Sequence, residues 1–146
     1  MKNNDYFMNI AIKEAMKCKK TDDVPIGCVI VYNNKVISKA HNIKNYTKKI
    51  TDHAEIIAIT KINKKNKNWH LFDYKIYVTM EPCIMCAGAI ISSHISEVYY
   101  CIPNHKMGSK NILGNKLIIL DNNNIHKNIL IKLMQNFFKE KRNKKE

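Results

Sequence analysis

The chain has 146 residues, 45% of them hydrophobic, with a formal net charge of +13. That length buries one core well and two ordinary domains poorly, so a single domain over 1–146 is expected. The apolar runs are too short for a spanning helix, and none follows the charged start Met1-Lys2-Asn3-Asn4-Asp5-Tyr6, while five cysteines argue against a disulfide framework; a cytoplasmic protein with no membrane partner is expected.

Asp5 to Lys19 carries Phe7, Ile10, Ala11, Ala15 and Cys18 at helical spacing and predicts an amphipathic helix, ended by Pro25 and Gly27. Cys28 to Tyr32 and Lys35 to Ala40 are β-branched runs around Asn33-Asn34, which tolerate the positive φ of a tight hairpin. Asn42 to Asp52 is a polar, basic loop, and a second helix runs from His53 to about Asn63. Lys64 to His70 reads as a turn, Tyr74 to Thr79 as a strand, and Pro82 to Ser92 as a third helix that Gly88 and Ala89 allow to pack closely. Glu97 to Ile102 is a strand parallel to Tyr74–Thr79 across a right-handed crossover. Pro103 to Asn115 is a loop, Lys116 to Leu120 a last strand, and Asn124 to about Arg142 a basic helix ending in a frayed tail over 139–146. These elements make an α/β fold with three α/β/α layers and a mixed, five-stranded central sheet. Tyr99, Tyr100, Trp69 and the methionines are assigned to its core.

Two stretches in this order carry chemistry: His53-Ala54-Glu55, and Pro82-Cys83-Ile84-Met85-Cys86 about thirty residues later. One imidazole and two thiolates supply three zinc ligands, and a catalytic zinc keeps its fourth position open. Glu55 is left over for proton transfer. Cys83 and Cys86 stand one helical turn apart near a helix start, whose dipole favours thiolates. His53 and Glu55 would diverge by about 200° on a regular helix, so they belong where the chain begins one, with Asp52 or Thr51 as its cap. A closed zinc knot with Cys28, Cys101, Cys18 or another histidine as fourth ligand is the competing structural reading, and it leaves Glu55 unexplained. A thioredoxin-like reading of Cys83 and Cys86 leaves His53 unexplained as well.

The ordered pair of motifs resembles the signature of the cytidine-deaminase-like zinc deaminases. Within that fold the chain is similar over nearly its whole length to the bacterial tRNA-specific adenosine deaminases. The likeness rests on Pro25-Ile26-Gly27-Cys28-Val29, on Thr51-Asp52-His53-Ala54-Glu55, on Tyr77 to Ala89, and on Phe137-Phe138 followed by Lys139, Lys141 and Arg142. The resemblance implies one zinc per subunit on His53, Cys83 and Cys86, with Glu55 as the catalytic proton shuttle. It implies deamination of the wobble adenosine of an arginine tRNA to inosine by a homodimer gripping the anticodon stem-loop, with substrate contacts from Asn42, Asn104, Lys106 and Phe137. The chain departs from the family at Asn104, where Asp is usual, and in a shorter stretch from Gly108 to Lys116. An amide there, donor as well as acceptor, is expected to relax discrimination between RNA and DNA.

Two other functions are weighed against this one. A deaminase of a free base or nucleoside, cytosine or guanine, would share the zinc motif but needs no basic C-terminal helix. A zinc-stabilised RNA-binding module would need no Glu55. The charge points to a polyanion, although lysines in a chain so rich in Lys, Asn and Ile also occur as ordinary solvated surface.

Overall fold

The computed structural model describes residues 1–120 and 124–144. Helix α1 (Asn4–Met16) begins at Asn3, whose side chain accepts the Tyr6 N–H, and continues into a 3-10 turn over Lys17–Thr21. Strands β1 (Gly27–Tyr32) and β2 (Lys35–His41) form the expected hairpin, with Asn33 and Asn34 at φ 50° and 61°. Then follow α2 (Lys44–Thr47), α3 (Ala54–Asn66), β3 (Lys75–Met80), α4 (Ile84–Ser92), β4 (Glu97–Ile102), α5 (Lys110–Leu113), β5 (Leu117–Ile119) and α6 (Asn124–Lys144). Strand order is β2-β1-β3-β4-β5, with β1 antiparallel to both β2 and β3, and with β3, β4 and β5 mutually parallel.

The alternation of strand side chains divides the core in two. Cys28, Ile30, Ile76 and Val78 join Ala58, Ile62, Ala87 and Ile90 of α3 and α4, whereas Val29, Val31, Tyr77 and Tyr99 join Phe7, Met8, Ile12 and Leu130 of α1 and α6. Helices therefore cover both faces, as the three-layer expectation requires. Gly27 is required where β1 meets α1, because a Cβ there would collide with the backbone of Ala11 and Ala15. No helix among the described residues is long and apolar enough to cross a membrane.

Several expected boundaries move. The stretch read as a turn from Lys64 is helical through Asn66, and Lys67 ends it at φ 51°. The third helix begins at Ile84, not at Pro82. The two expected loops contain the single-turn helices α2 and α5. Helix α6 stays helical through Lys144, where a frayed tail was expected; residues 145–146 of that tail lie outside the described residues. Tyr99 and Tyr100 are buried, but Trp69 is 55% exposed and Met16 and Met107 are also at the surface. Their runs lie in turns and at helix ends, where side-chain type does not decide burial. Gly88 has nothing within 4 Å of its Cβ position, so it packs against no other part of the described chain.

Candidate metal centre

Both metal half-sites occupy helix N-caps. His53 precedes α3 with φ −77° and ψ 153°, and Cys83 precedes α4 with φ −73° and ψ 173°. Neither side chain caps its helix, so Asp52 and Thr51 are not the caps the sequence suggested: His53 itself takes that position. Forgoing a Ser or Asp cap costs about 1 kcal/mol per helix. In exchange, both helix N-termini begin at metal ligands, where their dipoles favour anionic donors.

The His53 Nδ1 atom lies 3.6 Å from Cys83 Sγ and 3.5 Å from Cys86 Sγ. A tetrahedral zinc with Zn–N of about 2.0 Å and Zn–S of about 2.3 Å separates nitrogen from sulfur by roughly 3.6 Å. The donor set fits zinc, and His53, Cys83 and Cys86 are the one such group among the described residues. Cys18, Cys28 and Cys101 are buried free thiols outside it, so no closed four-ligand knot forms among the described residues. The Cys83 thiol is pulled down to about 4, chiefly by the Cys86 hydrogen bond with help from His53 and against its own burial. Cys86 moves the other way because it donates to Cys83 and is buried.

Glu55 lies in the first turn of α3 and is 3% exposed. Burial raises its carboxyl above the ordinary range, and its own backbone N–H and His53 oppose that rise. A carboxyl so placed holds and releases a proton closer to neutrality than one in water.

Glu81 braces the far wall of this centre. It is buried, and its carboxylate accepts the Ser109 N–H at 2.8 Å and the Asn104 N–H at 3.3 Å. Gly108 bridges to Cys83 through the backbone, and a Cβ on Gly108 would collide with the Glu81 carboxylate and the Asn104 carbonyl. Glu81 thus fixes the loop after β4 against the metal ligand. The one signal in the sequence for Glu81 is its place beside Pro82-Cys83.

The other expected site residues separate. Asn42 is buried and staples its own loop, with Nδ2 donating to the Val24 carbonyl and Oδ1 accepting the Lys44 N–H. Asn45 continues the staple by donating its backbone N–H to the buried Asp23. Asn104 Oδ1 accepts the Met107 N–H at 3.0 Å, and Lys106 is exposed in the same turn. Phe137 is half-buried beside Ala15, Met16 and Pro25 with Lys141 over its ring, and Lys141 also pairs with Asp22. The aromatic ring that α6 leaves outward is Phe138, in a groove of about 420 Å³ shared with Met80, Ile102, Met134 and Arg142. Helical phase separates the two rings: one residue of rotation turns Phe137 toward α1 and leaves Phe138 outward.

Comparison with known proteins places this geometry. Residues 1–102 match the family described as the cytidine and deoxycytidylate deaminase zinc-binding region. The chain is 35% identical over 151 residues to a tRNA-specific adenosine deaminase of Streptococcus pyogenes serotype M18, covering 97% of this chain and 93% of that protein. A solved structure from work on A-to-I editing by tRNA:A34 deaminases at the wobble position superposes with TM-score 0.73 at 30% identity, covering 80% of this chain and 98% of the other. Guanine deaminase from Bacillus subtilis superposes with TM-score 0.67 at 31% identity, covering 70% and 66%.

Proposed function

Because the chain belongs to the cytidine and deoxycytidylate deaminase zinc-binding family, we propose that it deaminates the wobble adenosine, position 34, of a tRNA to inosine, releasing ammonia. The observation that carries the choice of substrate is the reach of the likeness. The deaminase region ends at residue 102, yet identity to the tRNA-specific enzyme covers 97% of the chain and so includes the segment bearing α6. An arginine tRNA is the first substrate to test, in the cytoplasm, where thiol ligands stay reduced.

His53, Cys83 and Cys86 would hold the zinc, which when bound supplies Lewis acidity and makes hydroxide available near neutral pH. Glu55 carries the protons. Its carboxylate takes one from the attacking water and gives it to N1 of adenine as oxygen adds to C6, then takes the second from the hydroxyl now on C6 and delivers it to the departing amine. Water enters and ammonia leaves, so the carboxylate ends as it began. Glu81 and Gly108 hold Cys83 and the neighbouring loop in register. The reacting carbon is inaccessible inside a stacked duplex, and an anticodon loop offers it unpaired. Asn42 and its stapled loop, Asn104, Lys106 and the Phe138–Arg142 groove are assigned to the RNA around it.

A homodimer is part of the reading. Helix α4 carries no charged residue, and Ile84, Gly88 and Ile91 lie exposed along one side of it, with Ile112 of α5 also exposed. A second copy of this chain is the occupant suited to such a face.

The deciding experiment measures inosine in a transcribed anticodon stem-loop beside release of ammonia from free adenosine, cytosine and guanine. The expected result is turnover of the stem-loop alone. Turnover of free guanine with an inert stem-loop would overturn the tRNA reading in favour of the free-base reading that the Bacillus subtilis likeness supports.

A further inference from the structure

Edge strand β2 borders a groove of about 620 Å³ lined by Lys2, Lys35, Lys39, Lys61 and Lys65, with Tyr6 among them and no acidic residue in the lining. All five lysines are exposed. Lys2 stands over the Tyr6 ring, and Lys61 donates to the Lys39 carbonyl, which ties α3 to the strand edge. A row of ammonium groups with no counter-charge is a track for phosphates. Lysines on an edge strand also prevent sheets from pairing edge to edge, and that role would need no ligand.

A second observation distinguishes the two readings. Four residues beyond Lys65, past Lys67, the chain presents a cluster of rings. Trp69 lies 3.6 Å from His70 between ring centroids, His70 stacks on Phe72 at 5.4 Å, and Phe72 stacks on His94 at 4.8 Å and 14°. Trp69 and Phe72 are 55% and 57% exposed, and His70 and His94 are exposed with them. Keeping Trp and Phe rings in water is unfavourable unless something covers them. Edge protection explains lysines but not rings. Exposed rings, here four residues along the chain from a lysine of the groove, together with a basic track are the combination that binds single strands, with bases stacking on aromatic faces and the backbone following the charge.

This surface is separate from the metal centre. Helix α3 starts at the metal ligand His53 and ends beside the ring cluster, and its 13 residues span about 20 Å. We infer that the lysine groove along β2 and the Trp69–Phe72–His94 cluster form a second RNA-binding surface, which takes an unpaired stretch of RNA outside the loop that enters the catalytic centre. The inference extends the RNA-acting reading to a surface with no part in deamination.

Trp69 is the one tryptophan in the chain, so its emission reports this surface directly. The probe is dodecauridylate, which contains no adenine to deaminate. Saturable quenching of Trp69 emission, reversed by salt, is expected. Lys39→Ala with Lys65→Ala should lower the salt slope by about two, and Phe72→Ala should weaken binding by about fivefold or more. All three positions are exposed, so folding is preserved, and retained zinc verifies it. Unchanged emission at saturating dodecauridylate, or variants that bind it as the parent does, would overturn the inference. Inosine formation does not enter the measurement, so the failure of one reading leaves the other standing.

Discussion

The two ends of the sheet solve opposite problems. Where β3 and β4 finish, polar groups are enclosed: Glu55 and Glu81 are both buried, and Cys86 is fully so. Where those strands begin, apolar groups are left in water: Trp69 and Phe72 stand outward among lysines. An enclosed site derives its chemistry from the loss of solvent, which strengthens charge interactions and shifts proton affinities. An exposed site can only add affinity. Substitutions at the first end should therefore abolish function, while those at the second should grade it.

The largest effect is expected at the ligands. Cys86→Ala should leave far less than one zinc per chain by atomic absorption and no measurable deamination, with a lower melting temperature because metal binding is coupled to folding. Retained stoichiometric zinc would remove Cys86 from the ligand set. Next, Glu55→Gln should keep its zinc yet lose roughly 10²–10⁴ in rate. Activity within a few-fold of the parent would take the proton shuttle away from Glu55.

Gly108→Ala tests the wall of the enclosed end. The new Cβ meets the Glu81 carboxylate and a backbone carbonyl, so a loss of about 1–3 kcal/mol in urea unfolding is expected. A neutral result would show that the loop is free to shift away from Cys83. Ile91→Lys, on the uncharged side of α4, should convert a dimer to a monomer in sedimentation while zinc content holds. An unchanged sedimentation coefficient would place the interface elsewhere. The smallest effect is expected for Asn104→Asp, which keeps an acceptor for the Met107 N–H and removes the amide donor. A few-fold rise in preference for RNA over DNA stem-loops is expected, and equal rate ratios would show that the side chain serves the turn alone.

Most of the enclosed end was legible in the sequence. Metal donors must be of particular types at particular spacings, so His53, Cys83, Cys86 and Glu55 announce themselves in one dimension. The strands were legible for a similar reason, because period-2 runs and Asn33-Asn34 are local signals. Trp69 was not legible: ring type predicts burial on average, and only the tertiary path of the turn after α3 shows that this ring is outside. Glu81 was half-legible. Its neighbours in sequence place it near the site, but its partners Asn104 and Ser109 lie more than twenty residues away and reach it only through the parallel pairing of β3 with β4. Phe137 and Phe138 are adjacent, and helical phase against α1, which no local pattern reveals, decides which one faces inward.

Strand β3 supplies no metal ligand, yet it sits between β1 and β4 in the sheet. The β1–β2 hairpin closes over a two-residue turn, a microsecond event. The pairing of β3 with β4 must wait for the α4 crossover to order, which is slower because it closes a longer loop. His53 comes before β3 in the chain and both cysteines after it. Metal capture is therefore expected late in folding: in stopped-flow refolding, zinc uptake should lag hairpin formation and keep time with the burial of Tyr77 on β3.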